Sequence, residues 1–140
     1  MKVCILGTGS NGNSTLIESG ETRVLIDAGF SGRNLEQRLS RIDINPKDIN
    51  AIVISHNHSD HTKGAGVFSR KHGTPVYLTE RTLSACSKFF RGTEPTVIYR
   101  PGQNFEIGSV RIEPFITVHD AADPVAVAIV EMRTNTRVGV

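Results

Sequence analysis

The stretch AIVISHNHSDHTKG, residues 51–64, sets four metal-competent side chains into six positions directly behind a compact apolar run. His56, His58, Asp60 and His61 spell H-x-H-x-D-H. Neutral imidazoles and carboxylates are the usual ligands of zinc and related divalent ions. The run AIVIS has the texture of a strand buried on both faces. On extended chain leaving it, His56 and His58 project to the same side because they are two residues apart. Asp60 and His61 follow where the chain turns toward a helix, within reach of a second ion. Packed inward, these four side chains would make a poor core. As open surface they would serve nothing, so metal binding is the reading that accounts for them together.

The bulk numbers agree with a single globular domain, residues 1–140. The chain has 38% hydrophobic and 21% charged residues, outside the range of disordered or membrane chains. One Lys and four apolar residues precede Gly7, far short of a signal-peptide core, and no run is long enough to span a membrane. Cys4 and Cys86 form no C-x-x-C and read as buried, reduced thiols, so a cytoplasmic setting without membrane contact is expected. The net charge of +2 is uneven: residues 33–100 hold 11 basic against 6 acidic side chains, a mild bias toward an anionic partner.

Upstream, KVCILGTGSNGNS at residues 2–14 imitates a dinucleotide-binding fingerprint. Gly7, Gly9 and Gly12 give G-x-G-x-x-G after an apolar run, and Asp27 lies 20 positions beyond Gly7. That motif requires a helix after the glycines. Here NSTLIESGETRVLID follows, with a strand-like Thr15–Ile17 cluster, a turn at ESGE and a second strand ending at Asp27. A hairpin there excludes the Rossmann crossover, and no dinucleotide is expected.

The remaining texture is α/β. Ser31 is placed to cap an amphipathic helix with Leu35, Leu39 and Ile42 on one face. A helical stretch runs to about His72, stopped by Gly73 and Pro75, and His72 reads as a C-terminal cation facing the helix dipole. PVYL is a strand, and TERTLSACSKFFRG a helix from the Thr79 cap to Gly92. From TVIYR onward strands and turns dominate, and the chain ends in RVGV, itself strand-like.

The arrangement ILGTGSNGNS…VLIDAG…ISHNHSDHTKG…VHDAADPV resembles the metallo-β-lactamase superfamily, and within it the YycJ/WalJ-type metal-dependent hydrolases. The resemblance implies an αββα sandwich with a two-metal site, zinc or manganese, at one edge between two sheets. It further implies DNA exonuclease activity, so nucleic acid becomes the expected substrate and a metal-activated water the expected nucleophile. Carried onto this sequence, it makes His56, His58 and His119 the ligands of a first metal, and Asp60 and His61 those of a second. Asp60 and His61 then also carry the catalytic role, Asp60 helping to place the attacking water. Asp27 would stand behind the site, orienting ligands, with the glycine loop near it. Asp120 and Asp123 could contact the site or form turns, and Lys63 and Arg33 could engage phosphates.

One departure matters. The family's bridging acid and last His have no counterpart here: His119 is the final His and Glu131 has the wrong context. The chain is therefore expected to hold the N-terminal half to two-thirds of the fold, with the second sheet largely missing and apolar surface left uncovered. Two other functions keep the same metal motif: hydrolysis of a thioester or other small ester, and a non-catalytic metal-binding half-domain.

Overall fold

The computed structural model describes all 140 residues. It has two stacked sheets. Strands β1 (Lys2–Gly7), β2 (Ser14–Ser19) and β3 (Thr22–Ile26) form an antiparallel meander, and β3 continues in parallel with β4 (Ala51–Val53), β5 (Val76–Leu78) and β6 (Thr96–Ile98). Thus a hairpin, not a crossover helix, follows the glycine loop. Parallel pairs need crossovers. Helix α1 (Gly32–Ser40) provides the first; α2 (Ser59–Thr62) and α3 (Ala65–His72) provide the second, and α4 (Glu80–Ala85) the third.

The alternation of apolar residues divides the six-stranded sheet between two cores. Leu16, Leu25, Ile52, Ile54, Val76 and Leu78 point to the helices, where Leu35, Leu39 and Phe68 meet them. Ile17, Val24, Ile26, Ala51 and Val53 point the other way, onto a second sheet. That sheet is a four-stranded antiparallel meander of β7 (Phe105–Ile107), β8 (Val110–Ile116), β9 (Val125–Glu131) and β10 (Arg137–Gly139). It contributes Ile107, Val110, Ile112, Val125, Val127 and Ile129 to the inner core.

This corrects the expectation of a largely missing second sheet. The short hairpin connections let β7 to β10 pair among themselves, and together they cover β2 to β5. The layers are α/β/β, because no helix follows β6 to cover the outer face of the smaller sheet. Apolar surface is left uncovered at Val3 and Ile5 of edge strand β1, cross-strand partners of Ile17 and Thr15 and 47% and 65% exposed, and at Phe115, Ile116 and Val118 at the end of β8 and just beyond it.

Smaller differences have local causes. Helix α1 is capped by Ser31, whose side chain accepts from Asn34 N–H, but it stops at Ser40 and leaves Ile42 outside. Asp43 there turns left-handed, with φ 58°. Helix α4 ends at Ala85 rather than Gly92, and a 3-10 turn at Ser87–Phe89 brings Phe89 and Phe90 against the outer core. Cys86 is buried, which pushes its thiol up to about 11, whereas Cys4 on the edge strand is only half-buried; both are free. The His72 ring does not merely face a dipole: Nε2 lies 2.7 Å from Glu36 Oε1 and ties α3 to α1.

Candidate metal centre

Strands β3 and β4 run in parallel and end side by side, with Ile26 opposite Val53. Asp27 leaves one strand and Ser55, His56 and His58 leave the other, so the residues sit at the carboxyl edge of a parallel sheet, where ligands of open α/β sheets bind. The second sheet reaches the same place through the 117–124 connection between β8 and β9, since Val125 N–H donates to Ser55 O at 3.0 Å.

There three imidazoles converge. His56 is buried, His58 half-buried and His119 exposed, and one ligand nitrogen of each lies within 4.8 Å of the others. Ring centroids are 4.7 to 4.9 Å apart in all three pairs. His119 Nε2 and His58 Nδ1 face each other at 3.3 Å, a separation at which two imidazole nitrogens share either a proton or a cation. Asp60 and His61 both lie on α2, with Oδ2 and Nε2 3.5 Å apart, and the His61 ring centroid is 4.0 Å from that of His56. The second pair therefore stands directly beside the three-His cluster.

Hydrogen bonds fix the tautomers. His61 Nδ1 lies 2.7 Å from Asp27 Oδ2 and donates to it, which leaves Nε2 as a lone pair. Asp27 also accepts from Ser55 N–H and from Ser55 Oγ, both at 2.8 Å. With its one proton given to Asp27, Ser55 Oγ can only accept from His56 Nδ1, 2.9 Å away. One carboxylate thus orients two rings, one directly and one through a hydroxyl. Such partners raise ligand basicity and hold the ring in place.

The consequence is a bare, buried Nε2 on His56, which has no hydrogen-bond partner. A buried polar atom left unpaired costs about 1–3 kcal/mol. A divalent cation shared with His58 and His119 would satisfy it, so the donor set fits a metal. Burial, reinforced by the neighbouring His61, pushes the His56 pKa down to about 4, so the ring is neutral as a ligand must be. His61 is shifted the other way: burial opposes its charge, but the Asp27 hydrogen bond and the Asp27 and Asp60 charges outweigh it and raise its pKa.

The glycine loop braces this arrangement through Asn13, which the motif reading passed over. Asn13 N–H donates to Asp60 O at 2.7 Å, and its Nδ2 lies 3.0 Å from Asp60 Oδ2 and 3.1 Å from His61 Nε2. Its Oδ1 accepts from Gly9 N–H at 2.9 Å while Nδ2 donates to Gly9 O at 3.0 Å, which closes the loop on itself. Only glycine fits at residue 29, because a Cβ there would lie 1.6 Å from Asp60 O. Asp27 itself adopts φ 62°, a left-handed backbone that costs about 1–3 kcal/mol and clusters at functional sites.

A cavity of about 470 Å³ opens at the centre, lined by Asp27, His56, His61 and His119 together with the apolar Ile5 and Val118. Thr8 of the glycine loop also faces it. Asp123, with φ 59°, forms the turn before β9, and Asp120 is exposed. Lys63 and Arg33 are exposed and make no ion pair. Glu131 ends β9 with its carboxylate on Ser19 and Thr134, away from the three rings.

The sequence model of the metallo-beta-lactamase superfamily matches residues 7–136. The chain belongs to that superfamily. Among curated proteins it is similar to the exodeoxyribonuclease WalJ of Streptococcus pneumoniae, 39% identical over 127 residues covering 88% of this chain and 47% of the relative. It is also similar to the exodeoxyribonuclease YycJ of Bacillus anthracis, 36% identical over 122 residues covering 86% and 46%. The chain spans about half the length of the curated relatives it matches. Solved superfamily structures share the fold: a Cronobacter sakazakii metallo-beta-lactamase with a HARLDQ motif has a TM-score of 0.83 at 19% identity, covering 98% of this chain and 60% of that one. The metallo-beta-lactamase fold protein YhfI of Bacillus subtilis has a TM-score of 0.75 at 20% identity, covering 92% and 58%. No helix of this superfamily member is long and apolar enough to cross a membrane.

Proposed function

We propose that this chain carries the metal-binding half of a DNA exonuclease, hydrolysing phosphodiesters with water. The observation that carries the reading is the unpartnered, buried Nε2 of His56 facing His58 and His119. Its likeness to two exodeoxyribonucleases over most of its length supports the substrate class. In this reading His56, His58 and His119 hold one divalent ion, zinc by the chemistry of three imidazoles, and Asp60 and His61 contribute to a second, zinc or manganese. Bound there, such ions acidify water and stabilise charge on a phosphoryl group.

The chain's own residues do the rest. Asp27 and Ser55 keep the ligand nitrogens of His61 and His56 free of protons by holding the other ring nitrogen as a donor. Asn13 keeps Asp60 aimed alongside His61. The unpaired cations Lys63 and Arg33 are available to phosphates, whose contacts are salt-dependent.

Linear DNA incubated with the protein and zinc or manganese is expected to release nucleotides from its ends, while closed circular DNA is spared. His58→Ala is expected to abolish release. Turnover of a thioester with none of DNA would overturn the substrate assignment. A second reading, metal binding without catalysis, is favoured by the donor count: three imidazoles form a cluster, while Asp60 and His61 are a pair and belong to no group of three. Zinc held with neither substrate turned over would establish it.

A further inference from the structure

The third imidazole comes from the connection between β8 and β9. His119 is exposed in the 117–124 connection, whose internal backbone hydrogen bonds are Thr117 N–H to Pro124 O at 3.1 Å and Ala121 N–H to His119 O at 2.9 Å. Apart from the approach of His119 to His58, the connection's other side-chain ties converge on a single residue. Ala122 N–H donates to Asn57 Oδ1 at 2.8 Å, and Ala122 O accepts from Thr82 Oγ1 at 3.2 Å. Thr82 is itself fixed: its N–H donates to Thr79 Oγ1 at 3.2 Å, and Thr79 Oγ1 donates to Thr82 Oγ1 at 3.0 Å. Thr82 in the first turn of helix α4 and the residue between the first two imidazoles thus grip Ala122 at its carbonyl and its N–H.

We infer that Asn57 and Thr82 are positioning residues for the three-His site, clamping Ala122 so that His119 stands opposite His56 and His58 before an ion arrives. The inference rests on the metal-centre reading above. A loop that had to be ordered by the ion itself would take that entropy from binding. Clamped at Ala122, it is ordered during folding instead, and the ion gains a preformed third ligand. Asn57 suits the task because its backbone leaves β4 with His56 and His58 while its amide reaches 65 residues along the chain.

The test is a zinc titration of the chain in competition with a chelator. Asn57→Ala is expected to weaken zinc about ten-fold, the lower end for loss of a partner behind a metal ligand. Thr82→Val, which keeps the buried shape and sits on another element, is expected to weaken it in the same direction. In a His119→Ala background neither substitution should weaken zinc further, because the clamp acts only through that ring. Wild-type affinity in both variants, or an undiminished loss without His119, would overturn the inference. Absence of zinc binding by the unsubstituted chain is a separate result and would overturn the metal-centre reading on which it stands.

Discussion

Asp27 Oδ2 accepts a hydrogen bond from His61 Nδ1 at 2.7 Å, so the residue that ends one strand sets the ring of a residue on the helix after the next. The same carboxylate reaches His56 through Ser55. Replacing it should therefore disturb both halves of the centre. Asn is the informative substitution, because it tolerates the left-handed φ of 62° that Ala would resist. Asp27→Asn is expected to lower zinc affinity by about 10–100-fold with the fold retained, as measured by chelator competition beside a circular dichroism melt. Unchanged affinity would remove Asp27 from the account.

Asn13→Ala removes the brace between the glycine loop and α2. The expected cost is about 1–3 kcal/mol in urea denaturation, since partners of the amide are left half-buried and unpaired. Amide hydrogen exchange should quicken at Gly9, whose N–H now donates to Asn13 Oδ1. If exchange at Gly9 is unaltered, the amide is not what holds the loop.

Gly29→Ala should be far more severe. The new Cβ would overlap the Asp60 carbonyl at 1.6 Å, and backbone on both sides must move. Destabilisation beyond about 4 kcal/mol, or failure to fold, is expected by urea melt. A mild effect would show that the contact between residue 29 and α2 is looser than described.

Much of this site is local in sequence and some of it is not. His56, His58, Asp60 and His61 could be read because six consecutive positions carry them and their spacing has little other use. The hairpin at residues 14–26 was equally legible, since ESGE breaks any helix there, and this removed the dinucleotide reading. His119 is legible from the family resemblance and from its place after EPFITV, at a strand end that opens a turn-rich acidic loop. The roles of Asn13, Ser55 and Asn57 were out of reach, because each depends on a side-chain bond to a residue whose proximity only the tertiary fold creates. The strands β7 to β10 could be read one by one, but not their closing into a four-stranded sheet over the inner core.

Acid below about pH 4.5 should weaken the junction of the two sheets. Glu131 accepts from Thr134 and Ser19 and lies 3.5 Å from the Met1 amino group, and these partners hold its carboxyl down at about 2. A carboxyl lowered on folding stabilises the fold fully above its unfolded value of 4.5 and loses that contribution as pH falls toward 2. The stability difference between wild type and Glu131→Gln, followed by urea denaturation, should therefore be level above pH 4.5 and shrink below it. A difference that is the same at pH 3 as at pH 7 would contradict this.

The most direct test of the metal centre is the metal content of the folded chain, measured by elemental analysis after zinc loading and desalting, beside His58→Ala. The three-His arrangement predicts at least one zinc retained per chain and its loss in the substituted protein. A folded wild-type chain that retains no zinc, or a His58→Ala chain that retains as much, would contradict it.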